Sequence, residues 1–190
     1  MSITISAGTA YRKAYSGFSP YTDKSYRTNS TNRELVKADR SALSKGLSML
    51  KNLDYDNTDP NNTKGIYNRI TSLVDVYNNA EESMSKSDSR DIKRSAAEMT
   101  KVAKKYSKEL EAMGISISSS GKLKIDAKEF KKATTKQVKK IFSEDSEFTK
   151  DLEKLMKKVK AQINRQPAPP SVKPQTEQVD GSAGGIDTYA

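Results

Sequence analysis

The side chains available for chemistry in this sequence are carboxylates, lysines and hydroxyls. Asp and Glu number 24, Lys and Arg 34, and the formal net charge is +10. There is no His and no Cys. That removes imidazole and thiolate zinc sites, a Cys nucleophile, a disulfide and a Ser-His-Asp triad. The run Asp54-Tyr55-Asp56-Asn57-Thr58-Asp59 has the look of a calcium loop. However, Asp59 stands where that loop needs its central Gly, and Gly65 stands where it needs the closing Glu. The segment therefore reads as a polar connection between helices. Gly8, Gly17, Gly46 and Gly65 form neither of the Gly-rich phosphate loops. No aromatic cluster surrounds any carboxylate pair, so a glycoside- or phosphoester-cleaving pocket is not indicated, and we expect no enzyme and no cofactor.

Positive charge is the other candidate. Between 122 and 160 there are 13 Lys against 7 acids, and a pI of about 9.5 is the footprint of a nucleic-acid binder. Against this, Arg is missing between Arg94 and Arg165, and Arg is the residue of bidentate base contacts. The Tyr and Phe of this region lie on apolar stripes rather than among the lysines as stacking platforms. A Lys-rich nucleic-acid-binding helical protein is kept as the alternative reading. No apolar run approaches the roughly 18–20 residues of a membrane helix. The start, Met1-Ser2-Ile3-Thr4, lacks the basic and apolar regions of a cleaved signal.

The elements that must position these residues are mostly helices. Hydrophobic residues are only 34% of the chain, against roughly 45–50% apolar usage in ordinary domains. Residues 1–30 read as a disordered Ser/Tyr-rich tail, and 165–190, with Pro167, Pro169, Pro170 and Pro174, as a disordered Pro/Gly-rich tail. The foldable part is 31–164. Thr31-Asn32-Arg33-Glu34 has the form of a capping box, followed by Leu35, Asp39, Leu43, Leu47 and Leu50 at helical spacing. A second helix begins near Thr63 and carries Ile66, Ile70, Leu73, Val74 and Tyr77. It weakens at 83–89, where Ser85, Ser87 and Asp88 offer caps for a third. In that third helix Ile92, Ala96, Met99, Ala103, Tyr106, Leu110 and Met113 step by alternating fours and threes. The pattern suits a short coiled-coil pair or one helix of a small bundle.

Gly114 is placed as a helix-ending glycine. Ile115 and Ile117, then Leu123 and Ile125, alternate with polar residues and predict a β-hairpin at about 115–125. Asp126 caps a short helix bearing Phe130 and Ala133. Thr134 or Thr135 caps another with Val138, Ile141 and Phe142. Ser143 or Ser146 caps a last one with Phe148, Leu152, Leu155, Met156, Val159 and Ile163. The fold class is thus mainly α, a small bundle or coiled-coil pair with one hairpin.

One order of features carries a functional reading. Leu110-Glu111-Ala112-Met113-Gly114-Ile115 is followed by Gly121-Lys122-Leu123-Lys124-Ile125-Asp126, then by Phe130, Ala133, Val138 and Ile141-Phe142. Upstream stands Leu73-Val74-Asp75-Val76-Tyr77-Asn78. This resembles the C-terminal module of the bacterial flagellar filament-capping family, hook-associated protein two, over about residues 66–163. That family reads Phe-Val-x-Ala-Tyr-Asn, then Leu-Gly-Ile, then Gly-x-Leu-x-Leu-Asp, then Val-x-x-Leu-Phe. Here Met113 and Ile125 replace two of its Leu. The family's long terminal helices and inserted outer domains have no counterpart in these 190 residues. The resemblance implies a non-enzymatic structural or interaction protein, a reduced cap-like accessory of the flagellum. Its partners would be other axial flagellar proteins or copies of itself. Its place would be the flagellum, or outside the cell by flagellar export, with the cytoplasm as alternative. The motif residues (Tyr77, Asn78, Leu110, Met113, Gly114, Ile115, Gly121, Leu123, Ile125, Asp126, Phe130, Ile141 and Phe142) then serve structure rather than catalysis.

Overall fold

The structure, a computed structural model, describes residues 24–57 and 59–166. Four long helices make a ring. They are α2 (Asn32–Lys51), α3 (Pro60–Ser85), α4 (Arg90–Lys105) and α8 (Glu147–Arg165). Each packs against two neighbours, α2 on α3, α3 on α4, α4 on α8 and α8 on α2. Hydrogen bonds fix the direction of each pair. Asn32 Nδ2 reaches Ser83 O, Tyr77 Oη reaches Met99 O, Ser95 Oγ reaches Gln162 Oε1, and Arg33 reaches Ile163 O and Gln166 O. The bundle therefore runs up, down, up and down. Its near pole holds the start of α2 and the end of α8, and its far pole holds the Asn52–Asp59 connection. The 4-3 stripe of the third helix is thus a bundle face.

Between α4 and α8 the chain adds a smaller layer. It comprises α5 (Ser107–Glu111), β1 (Ile115–Ile117), β2 (Leu123–Ile125), α6 (Ala127–Phe130) and α7 (Thr135–Phe142). The strands pair antiparallel with Ile115 opposite Ile125 and Ile117 opposite Leu123, as the alternation requires. The hairpin lies on α3, and α7 packs on α8, α2 and α5. One contiguous core includes residues of both layers.

Local chemistry explains most boundaries. Thr31 and Glu34 form a complete capping box, as do Thr134 and Gln137. The Ser146 hydroxyl accepts from Thr149 N–H and donates to Ile141 O. Three boundaries differ from the sequence reading. The second helix starts at Pro60, not near Thr63, because Asp59 caps it and Pro at the first position is preset for a helix. Ser89 precedes α4 without a side-chain cap, and Ser87 instead accepts from Ser89 N–H. The third helix is broken at Tyr106, so the seven-residue stripe spans two elements. A fourth difference lies in the stretch assigned to the N-terminal tail, where Lys24–Asn29 is a helix, α1. Its Arg27 grips Asp39 with two hydrogen bonds, at 2.7 and 3.2 Å. Asp39 is 3% exposed. Burial pushes its carboxyl up, while Arg27 and Ser83 pull it back down. The C-terminal helix runs one residue into the stretch assigned to the second tail, to Arg165, and residues 1–23 and 167–190 lie outside the described residues.

Candidate functional site

The residues singled out in the sequence converge on the hairpin layer and the helix beneath it. Asn78, in the second half of α3, faces β2. Its Nδ2 donates to Leu123 O and its Oδ1 accepts from Leu123 N–H, both at 2.8 Å. A primary amide thus reproduces the two-bond exchange of a neighbouring strand and closes the outer edge of a two-stranded sheet. One turn on, Glu82 accepts from Lys122 Nζ and Lys86 Nζ, each at 2.7 Å. Those two ammonium groups hold its carboxyl down at about 2. Tyr77 is buried beside Asn78 and donates to Met99 O, which links α3 to α4. Desolvation raises its phenol well above the ordinary value.

Gly114 and Gly121 are the positions where the layer needs glycine. Gly114 has φ +74°, and a Cβ there would meet Glu129 Cβ at 2.7 Å and Phe130 N at 2.9 Å. Gly121 has φ +85°, and its Cβ would meet Thr100 Oγ1 of α4 at 2.1 Å. Both turns therefore combine a left-handed backbone with close approach. Asp126 accepts from Lys128 N–H and Glu129 N–H. Those backbone donors keep its carboxyl below the usual range.

Leu110, Met113, Ile115, Leu123, Phe130, Ile141 and Phe142 are all buried, whereas Ile125 is only partly so. Phe142 meets Phe148 edge to face at 5.9 Å between ring centres, and Phe148 meets Tyr106 at 5.5 Å. Tyr55 Oη donates to Leu50 O and Phe142 O, tying the far-pole connection to α7. All the motif residues thus lie in the hairpin layer, its turns or the α3 and α7 surfaces that carry it.

Several further carboxylates pair with lysines of other elements, among them Glu153 with Lys51, Glu98 with Lys158 and Asp56 with Lys139, and others serve local turns and caps. Asp54 Oδ1 accepts from Asp56 and Asn57 N–H, Asp59 caps α3, and Asn62 donates to Asp54 O and Asn57 O. The run that looks like a calcium loop thus turns these groups onto its own backbone. Among the described residues no three carboxylates gather where they could hold a metal ion. No helix of the described residues is long and apolar enough to cross a membrane.

One surface feature lies outside the sequence reading. Beside the hairpin layer, α3 and the α6–α7 segment part to leave a half-open cavity of about 410 Å³. Tyr67 and Phe130 meet there with ring centres 4.8 Å apart. Ile66 and Val138 continue the apolar lining. Tyr67 is adjacent to the buried stripe residue Ile66 but only partly buried itself. An aromatic next to the stripe is the only sequence signal that could have pointed here. Compared with protein-family models, with curated proteins and with solved structures, the chain gives no match.

Proposed function

We propose that this chain is a non-enzymatic structural or interaction protein of the bacterial flagellum, akin to the C-terminal part of the filament cap. The observation that supports the reading is the Asn78–Leu123 pair of hydrogen bonds. It joins the upstream Tyr-Asn piece of the resemblance to the Gly-x-Leu-x-Ile-Asp piece, 45 positions away in sequence. Two of the four separated motifs are thereby parts of one packed unit, as a shared module requires. The motif side chains hold turns, caps and core, so the work left to the module is to present a rigid surface. Axial flagellar proteins or further copies of the chain are the partners this reading names. Export through the flagellum is the route.

Fractionation of the source organism tests it. The protein should be found with shed flagella or in the medium, and should vanish from both when flagellar export is disabled. Recovery from the cytosol alone would refute the reading. A second reading, binding of nucleic acid, has one observation in its favour. The adjacent helices α4 and α8 expose Lys101, Lys104, Lys154, Lys157 and Lys160, none of them ion-paired among the described residues. Under that reading duplex DNA binds, and its affinity falls steeply and linearly on a log–log salt plot.

A further inference from the structure

The cavity between α3 and the α6–α7 segment combines an aromatic floor with a one-signed rim. Its apolar lining is Ile66, Tyr67, Phe130, Ala133 and Val138. Among the described residues its only charged lining residues are Lys64, on α3, and Lys131, just after α6. They stand on the two walls. Both are exposed, and neither makes an ion pair among the described residues. Lysines nearby behave differently: Lys132 is tied to Glu129 and Lys139 to Asp56. The rim is thus positive, and among the described residues no carboxylate lines the opening.

We propose that this groove is a docking site for a segment of a partner protein that inserts a large apolar side chain and carries acidic residues on both flanks. The volume of about 410 Å³ lies in the range of about 300–1,000 Å³ typical of binding pockets. An aromatic anchor buried in such a pocket inside a polar rim is the usual anatomy of an interface centre. Lys64 and Lys131 select the acidic flanks, since a basic flank meets like charge on either wall. The occupant is a peptide segment because the pocket it fills is apolar and the two cations beside it stand on separate elements, α3 and the segment after α6, which suits an apolar anchor with charges in the chain on either side. This inference goes beyond the flagellar reading and does not rest on it.

The test uses the full chain and two labelled peptides. Both carry a central Phe-Leu pair, one flanked by Glu on each side and the other by Lys. The Glu-flanked peptide should bind, with amide shift changes confined to residues around Tyr67, Phe130 and Ala133. Tyr67→Ala should weaken it by about tenfold or more, the loss expected of an interface anchor. The Lys64→Glu/Lys131→Glu double variant, altered only at exposed side chains, should reverse the preference and bind the Lys-flanked peptide. The proposal is overturned by failure of the Glu-flanked peptide to bind, by equal binding of both peptides, or by no effect of the double charge reversal. It is also overturned if the shift changes fall on the basic faces of α4 and α8. None of these outcomes depends on where the protein is found in the cell, so failure here leaves the fractionation result standing.

Discussion

Replacing Asn78 by Ala removes a side chain that serves both backbone groups of Leu123, each through a bond of 2.8 Å. Leu123 is 5% exposed, and among the described residues β2 pairs with β1 alone. Its N–H and C=O would have to find water at a half-buried edge. An orphaned buried group costs about 1–3 kcal/mol. With partial access of water the pair should cost about 2–3 kcal/mol, near the low end for two groups. For a domain of this size about 2–4 °C of Tm is lost per kcal/mol, which makes the expected fall about 5–10 °C. Thermal and urea unfolding measure it, and hydrogen exchange at the Leu123 amide localises it.

Asn78→Asp sharpens the test. Its Oδ1 still accepts from Leu123 N–H, but the other oxygen now faces a carbonyl oxygen. At neutral pH this variant should do no better than Ala. The carboxyl would titrate above its unfolded value, because only the protonated form can donate to Leu123 O. Its stabilising contribution is therefore present at low pH and is lost as pH rises through the folded-state pKa. Measured against the parent at each pH, Asp should close the gap on acidification and Ala should not. An Asn78→Ala protein with parental Tm and unchanged Leu123 exchange would refute the claim that this amide holds the hairpin.

Four further perturbations have defined outcomes. Arg27→Ala strands the buried Asp39, and unfolding should show a loss near the lower end of the about 3–5 kcal/mol seen when a buried pair is broken. Since burial already raises Asp39, the loss should shrink as pH falls and the carboxyl protonates; a pH-independent loss would contradict the pairing. Glu82 is held down at about 2 by Lys122 and Lys86. Its contribution is present above its ordinary value of 4.5 and disappears as pH falls toward 2. Urea midpoints of Glu82→Gln should therefore vary less with pH over that window than those of the parent. Phe142→Ala empties a fully buried site against Phe148 and should cost about 3–5 kcal/mol in chemical unfolding. Gly114→Ala must adopt φ near +74° and clash with Glu129 Cβ and the Phe130 backbone N. A left-handed L-residue alone costs about 1–2 kcal/mol, so a parental melting curve would disprove the turn geometry.

What the sequence revealed was local chemistry. Thr31 with Glu34, Thr134 or Thr135, Ser143 or Ser146, Asp126 and Gly114 each announce a boundary from residues close in sequence, and the structure selects Thr134, with Gln137, and Ser146. The hairpin was legible for the same reason, since Ile115, Ile117, Leu123 and Ile125 alternate over a short span. What stayed hidden depends on contacts distant in sequence. α1 has no apolar stripe and is joined to the bundle through Arg27 and Asp39, 12 residues apart. Asp39 sat in the stripe of α2 as an unexplained charge. The break at Tyr106 was masked because the 4-3 spacing continues across it. There the Tyr106 ring packs edge-on to Phe148 and its hydroxyl reaches Asp151, both on α8. The double bond of Asn78 to β2 could not be inferred from spacing at all. Tyr67 went unmarked because half-buried aromatics beside a stripe are ordinary, and its significance arises only when Phe130 arrives from another element.

The near pole of the bundle sets how the domain bears load. Arg33 at the start of α2 binds Ile163 O and Gln166 O at the end of α8, so the four-helix ring, which follows α1, begins and ends side by side. Tension applied through those two points pulls antiparallel neighbours apart from one end. The Arg33 bonds would yield first, then successive turns of α2 against α8, with the Lys51–Glu153 pair near the far pole among the last. Contacts loaded one at a time resist far less than contacts sheared together, and forced unfolding follows the barrier met along that path rather than the total stability. The same domain gripped at opposite poles would have to shear whole helix faces.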